Sequence, residues 1–212
     1  MSILPLEHGP VVVGAGRLTF DAVVRCGERV EVIGGQAGGT CGNVLAALAY
    51  LGWQAYPLAD LGVDDPGDCI LCDLARCGVH LDLIDCPVGL ETPVVIHRIE
   101  STPAGPNHSF TARCPFCDLP LPDYEPVPVE RVVDRLSRVP VAQAIFFDRD
   151  SAGALQLARH CRANGALVVY EPNYAGPEVD LAAALAVAHV VKVSADVLPG
   201  FADALPPGPA AW

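Results

Sequence analysis

Short apolar runs alternate with amphipathic stretches along most of the chain. The apolar runs predict buried strands at residues 11–13, 55–61, 79–84, 144–147, 167–170 and 190–193. Apolar residues at helical spacing predict helices at residues 44–51, 67–77, 151–164 and 177–188. Because strands and helices alternate, the pattern indicates a doubly wound α/β fold, with a mainly parallel sheet and helices on both faces.

Two further stretches have the alternating pattern of strands with one exposed face. Apolar and polar residues alternate at 92–100 and at 107–113, and proline and glycine between them supply a turn. We expect a small β-ribbon lid formed by two segments, at about residues 22–36 and 88–115. The proline-rich stretch 119–128 is interpreted as a loop, because the helix–strand alternation resumes after it. Residues 1–212 are therefore treated as one α/β domain.

Composition and charge narrow the classes of function. Apolar residues make up 51% of the chain and charged residues 18%, which excludes a disordered protein. A formal charge of −12 disfavours nucleic acid and anionic membrane surfaces as partners. The N-terminus lacks the pattern of a signal peptide, and no apolar run reaches the ~18 residues of a membrane span. Nine cysteines, an odd number, indicate reduced thiols, so we expect a cytoplasmic protein.

Glycine-rich loops are typical of nucleotide-binding sites, but neither the dinucleotide fingerprint nor the phosphate-binding loop is complete in this sequence. Gly14 and Gly16 follow a strand, and Thr19 stands where the dinucleotide fingerprint requires its third glycine. The glycine-rich stretch 34–39 is followed by Thr40 and Cys41, where a phosphate-binding loop requires Lys and Ser or Thr. On these motifs alone, the glycines indicate tight turns.

A longer set of motifs, taken in order, resembles the ribokinase (PfkB) family of carbohydrate kinases. It begins with a buried strand, residues 14–21, a ribbon, and Gly38-Gly39-x-x-x-Asn43 opening a helix. The remaining motifs follow in the family's order: a G-x-D-x-x-G turn at 61–68, an x-G-V at 77–79, a lid strand starting at Thr92-Pro93, a counterpart of D-P-N at 170–173, and at 191–194 the strand that precedes N-x-x-E. The resemblance covers nearly the whole chain.

The resemblance implies a site and a reaction. In this family a sugar or nucleoside lies between the carboxyl edge of the sheet and the lid, and ATP with Mg²⁺ supplies the phosphoryl group. Asp21 would accept hydrogen bonds from substrate hydroxyls, and glycines at the base of the lid would let it close. The substrate-binding residues that the resemblance implies are Asp21, Gly38, Gly39, Asn43, Glu171 and Asn173.

Two features of the family are missing. Its second signature, a glycine-rich G-A-G-D, supplies the catalytic Asp and the N–H groups that hold the phosphate, and this sequence has no such segment. Ser194 and Val197 also stand in place of the N-x-x-E pair. Because phosphoryl transfer depends on positioning and charge stabilisation, we expect a truncated chain that carries the substrate-binding half. The expected catalytic Asp lies beyond its end, and the chain alone would be inactive.

Three hypotheses for the function follow. The first is an ATP-dependent carbohydrate kinase of which this chain is the substrate-binding half. The second is a non-catalytic module that binds a sugar or nucleoside, and the third is a zinc-stabilised α/β protein with a vestigial pocket. Because the family's sheet continues beyond this chain, we also expect an uncovered strand edge near residues 190–193 and self-association through it.

Two C-x-x-C pairs bear on the zinc hypothesis. Cys69 and Cys72 fall on one face of a predicted helix, so we interpret them as small packed residues. Cys114 and Cys117 follow the ribbon in a C-P-F-C turn, the arrangement in which zinc knuckles present two thiolates. A thioredoxin-like redox role is disfavoured, because its motif starts a helix. Structural zinc needs four ligands, which leaves a second chain or two ribbon histidines, His97 and His108, to complete the site.

Overall fold

The fold consists of two sheets and the helices that cover the larger one. The computed structural model describes residues 9–27, 29–103, 105–172 and 180–195. Its strands are β1 (Val11–Ala15), β2 (Thr19–Cys26), β3 (Val30–Gly38), β4 (Gln54–Asp60), β5 (Ile84–Asp85), β6 (Val94–Thr102), β7 (Gly105–Thr111), β8 (Ala144–Phe147), β9 (Leu167–Tyr170) and β10 (Val190–Val191). Its α-helices are α1 (Thr40–Tyr50), α2 (Asp65–Arg76), α3 (Val129–Arg135), α4 (Ala152–Ala163) and α5 (Leu181–Val187).

The larger sheet is parallel throughout, in the order β10-β9-β8-β1-β4-β5. Alternate residues of β1 face opposite sides of it. Val13 joins the buried cluster that contains apolar residues of α3, α4 and α5. Val12 joins a second cluster, which contains Leu45 of α1 and Ile70 of α2. Helices therefore cover both faces, and the predicted doubly wound α/β fold is confirmed.

The smaller sheet, called the lid sheet here, has the order β3-β2-β6-β7. Antiparallel pairs β2–β3 and β6–β7 are the two predicted ribbons, and a parallel pairing between β2 and β6 joins them into one mixed sheet. The N–H of Phe20 donates to the carbonyl of Pro93 at 2.9 Å beside this pairing. On the side of β3, the N–H of Ala37 donates to Oδ2 of Asp73 on α2 at 3.0 Å. The lid sheet is thus tied to a helix of the larger layer.

Several element boundaries match the sequence pattern. Strands β8 and β9 have the predicted bounds. Helix α4 begins after Ser151, whose Oγ accepts the N–H of Ala154 at 3.2 Å, as expected of an N-cap. Gly165, which follows the helix, has a φ of 92°, the left-handed conformation in which a C′ glycine ends a helix.

The strand predicted at residues 79–84 is wrong, and the helix predicted at 177–188 is described only in part. Among residues 79–84 only Ile84 is in a strand, because the N–H of Val79 instead donates to the carbonyl of Leu74 at the end of α2. Helix α5 begins at Leu181, and residues 177–179, where its start is predicted, lie outside the described residues. Its cap is Asp180, whose Oδ1 accepts the N–H of Ala183 at 3.1 Å.

Two observations concern features that the sequence pattern missed or misjudged. Helix α3 follows the proline-rich loop and was not predicted; it buries Val132 and Arg135. Cys69 and Cys72 are exposed on α2, so their interpretation as packed residues is wrong.

Within the described ranges, no helix is long and apolar enough to cross a membrane.

Candidate functional site

Two glycines join the lid sheet to helix α1. A Cβ on Gly38, the last residue of β3, would lie 2.1 Å from Oδ2 of Asp21, so only glycine allows this carboxylate to approach the backbone so closely. Gly39 has a φ of 81°, and a Cβ there would lie 2.4 Å from the carbonyl oxygen of Arg17. Close packing therefore requires both glycines at the base of the lid sheet, where the family resemblance places a hinge.

Asp21 lies on β2 and is oriented from within the lid sheet. The hydroxyl of Thr19, a buried residue on the same strand, donates to Oδ1 of Asp21 at 2.6 Å. Asn43 lies in the first turn of α1, where its N–H donates to the carbonyl of Gly39 at 2.9 Å and its side chain is exposed. The structure therefore brings Asp21 against segment 38–43, which carries three of the other predicted site residues.

Asp148 is a buried carboxylate at the same junction, and the sequence analysis did not identify it. It follows β8 at its carboxyl end. Its Oδ1 accepts the N–H of Arg17 at 3.0 Å, and its Oδ2 accepts the N–H of Cys41, in the first turn of α1, at 3.2 Å. Burial raises the pKa of Asp148 to about 6, although the nearby Arg149 and these two N–H groups act to lower it. Its position was a usable signal, because α/β sheets bind ligands at the carboxyl ends of their strands.

The proline-rich loop packs over this carboxylate. A guanidinium nitrogen of Arg17 pairs with Oδ1 of Asp123 at 3.2 Å. Burial raises the pKa of the neighbouring Tyr124, and the charge of Asp148 contributes in the same direction. The buried Nε of Arg17 finds no hydrogen-bond acceptor within the described ranges. Because an unsatisfied buried donor is costly, Arg17 is a further candidate to bind an oxygen of a ligand.

The second group of predicted residues lies at the end of the neighbouring strand. β8 and β9 are paired so that Phe147 is opposite Tyr170, which puts Asp148 and Glu171 at adjacent strand ends. The Glu171 side chain is 12% exposed, and its Oε1 binds Nζ of Lys192 at 2.5 Å. Asn173 lies outside the described residues.

The predicted G-x-D-x-x-G turn has a structural role. Asp64 is the N-cap of α2: Oδ1 accepts the N–H of Gly67 at 2.8 Å, and Oδ2 accepts the N–H of Thr92 at 2.8 Å. The hydroxyl of Thr92 in turn accepts the N–H of Gly62 at 2.9 Å. Burial acts to raise the pKa of Asp64, but hydrogen bonds from Thr92 and Gly67 outweigh it and lower the pKa. The turn therefore fixes the start of lid strand β6 to the start of α2.

The C-P-F-C turn follows β7, whereas the ribbon histidines lie on β6 and β7 of the lid sheet. Hydrogen bonds from the backbone N–H groups of Phe116 and Cys117 lower the pKa of the Cys114 thiol. His97 and His108 contact each other, with Nε2 of the first 2.9 Å from Nδ1 of the second. No group of three or more His, Cys, Asp or Glu side chains within the described ranges is arranged to hold a metal ion. The zinc site predicted at Cys114 and Cys117 stays a prediction.

Comparisons with known proteins identify the fold. No protein-family model matches the chain, and no curated protein matches its sequence. Fructokinase from Xylella fastidiosa, solved with bound ATP, matches with a TM-score of 0.67 and 22% identity over 92% of this chain and 61% of that one. Ribokinase from Arabidopsis thaliana, solved with ribose and ATP, matches with a TM-score of 0.62 and 20% identity over 92% of this chain and 62% of that one.

A third solved structure extends the same result. 2-Dehydro-3-deoxygluconokinase from Thermotoga maritima matches with a TM-score of 0.70 and 17% identity over 95% of this chain and 64% of that one. The chain therefore has the ribokinase-like α/β fold of these sugar kinases. It spans about three fifths of their length.

Proposed function

We propose that this chain is the substrate-binding part of a PfkB carbohydrate kinase, and that a sugar or nucleoside binds between the lid sheet and the carboxyl edge of the larger sheet. The observation that carries the proposal is the meeting of two carboxylates at segment 38–41. Asp21 reaches it from the lid sheet, and Asp148 reaches it from the end of β8. The shared fold with sugar kinases supports the same assignment.

The donor and acceptor groups at this junction suit a neutral polyol. Carboxylate oxygens accept hydrogen bonds from hydroxyls, and charge assistance makes such bonds stronger than neutral ones. Asp21 and Asp148 supply these acceptors. The Nε of Arg17, which has no acceptor among the described residues, supplies a donor to a ligand oxygen. The overall charge of −12 disfavours strongly anionic ligands away from this local arginine.

Phosphoryl transfer from ATP with Mg²⁺ is proposed for the whole kinase. This chemistry requires groups that position the γ-phosphate and stabilise its charge. We assign no described residue of this chain to ATP, to Mg²⁺ or to the catalytic base. Substrate binding is therefore the part of the function that this chain can be tested for directly, and Glu171 beside Asp148 belongs to the proposed binding surface.

Isothermal titration calorimetry with a panel of neutral hexoses, pentoses and nucleosides tests the proposal. We expect at least one member to bind the wild-type chain without ATP. Asp21→Asn should weaken that binding by about tenfold or more, since a hydrogen bond to a charged group contributes about 1.5–3 kcal/mol. Asp65→Asn, an exposed carboxylate on α2, is the matched control and should bind as the wild type does. Absence of binding across the panel, or equal binding by both variants, would overturn the proposal.

A further inference from the structure

We propose that Cys114 and Cys117 are one half of a tetrahedral thiolate zinc site, and that the same turn of a second copy of this chain supplies the other half. The turn follows β7 and contains none of the residues assigned to the proposed sugar-binding junction. The zinc site and the proposed function can therefore be tested independently.

The turn that carries both cysteines is held by hydrogen bonds of its own. The N–H of Cys114 donates to the carbonyl of Leu119 at 2.8 Å, and the N–H of Asp118 donates to the carbonyl of Cys114 at 2.9 Å. Asp118 has a φ of 57°, the left-handed conformation, and its carboxylate is bound by the guanidinium of Arg113 at 2.9 and 3.0 Å. The backbone between the two cysteines is thus fixed before any metal binds, which lowers the entropic cost of ligation.

Backbone donors surround the sulfur of Cys114. The backbone N–H groups of Phe116 and Cys117 both donate to it, and the Cys117 side chain is within hydrogen-bond reach. Two sulfurs therefore lie together on one side of the turn. Backbone N–H groups that donate to a sulfur hold it in a fixed orientation, as hydrogen bonds to metal ligands do in metal sites. Four thiolates in a tetrahedral arrangement are typical of structural zinc sites.

Two cysteines are half of the ligands that a structural zinc ion needs. Structural zinc takes four, and within the described ranges no His, Cys, Asp or Glu joins Cys114 and Cys117 in a group of three. Two identical turns related by a two-fold axis supply four thiolates without any further residue.

The surroundings of the turn suit a second copy. Phe116 is 67% exposed and Leu119 is 63% exposed, so apolar surface lies beside the cysteines where the second turn would pack. Arg98 and Arg113 line the same groove, of about 360 Å³, where they pair with the carboxylates of Glu100 and Asp118.

Metal analysis of the purified full chain, combined with light scattering, tests this proposal. After purification with zinc present, we expect one zinc per two chains and a dimer whose mass falls when a chelator removes the metal. The double variant Cys114→Ser/Cys117→Ser should hold no zinc and show no zinc-dependent change in mass. Cys69→Ser/Cys72→Ser removes an exposed pair of the same spacing from α2 and should keep both properties.

Co²⁺ binding to the wild-type chain provides a readout that needs no variant to fold. The absorption bands of tetrahedral, thiolate-bound Co²⁺ should develop and saturate at one ion per two chains. The proposal is overturned by a wild-type chain that binds neither ion, by one zinc bound to a monomer, or by zinc that persists in the folded Cys114→Ser/Cys117→Ser variant.

Discussion

Asp148 is a carboxylate that folding removes almost completely from water, and this should be visible in the stability of the protein. Burial raises its pKa from 3.8 to about 6. A carboxyl whose pKa is higher in the folded state binds its proton more tightly there. Its contribution to stability is therefore fully present below pH 4 and is lost as the pH rises through about 6. This rise in the pKa of Asp148, from 3.8 to about 6, corresponds to roughly 3 kcal/mol in the free energy of unfolding.

Urea unfolding across pH 4 to 7 measures this effect when the wild type is compared with Asp148→Asn. The amide of asparagine does not titrate, so the wild type should lose more stability than the variant across this range. All other carboxyl groups are common to both proteins and cancel in the difference. Two parallel curves would contradict a buried, proton-binding Asp148.

Gly38 should be required because of the carboxylate that lies against it. Gly38→Ala places a methyl group 2.1 Å from Oδ2 of Asp21 in the present geometry, so Asp21 has to move. We expect an overpacking cost of about 1–3 kcal/mol in stability and a loss of sugar affinity. Gly34→Ala, on the same strand, is the control, because a Cβ there meets nothing within 4 Å. Urea unfolding and calorimetry of both variants give the comparison, and equal behaviour would contradict the close approach of Asp21 to Gly38.

Among single residues, sequence reasoning identified the lid side of the site better than the sheet side. Asp21 and Gly38 were identified from the resemblance and lie in contact. Asp148 and Arg17 were missed, because Asp148 belongs to no motif and the proximity of the two residues depends on chain segments 131 residues apart. Only the three-dimensional pairing of β1 with β8 brings them together.

At the scale of elements, Asp64 stabilises two structures at once. Asp64→Ala removes the N-cap of α2 and leaves the N–H of Thr92 without its acceptor. We expect a loss of about 2 kcal/mol, since a cap contributes about 1 kcal/mol and an unsatisfied N–H adds a similar cost. Asp65→Ala changes a neighbouring exposed residue and should lose much less. Thermal unfolding of the two variants measures both losses of stability. Equal losses would show that Asp64 does not connect the start of β6 to the start of α2.

Element prediction succeeded where local pattern and caps agreed. Helix α4 has an apolar face, a serine cap and a terminal glycine, and its bounds were predicted within one residue. The apolar run 79–84 was wrongly predicted as a strand, because Val79 and Leu83 are buried without pairing in a sheet. The parallel pairing of β2 with β6 could not be predicted, since both strands show the same alternation in either direction.

At the scale of the whole molecule, the order of the motifs was more informative than any one of them. Glycine loops that failed as nucleotide motifs fit the junction of a lid sheet with a helix, and the resulting fold matches that of sugar kinases. Strand β10 is an edge of the larger sheet in the described ranges, and Val190 is 45% exposed there. Self-association through this edge stays a prediction, distinct from the zinc-dependent pairing proposed for the lid sheet.

The most direct measurement is a crystal structure of the chain with the sugar or nucleoside that calorimetry shows to bind. The account predicts that the ligand lies between the lid sheet and the carboxyl ends of β1 and β8, with hydroxyls within hydrogen-bond distance of both Asp21 and Asp148. A ligand bound elsewhere, for example in the groove lined by Arg159 and Arg162 between α4 and α5, would contradict it.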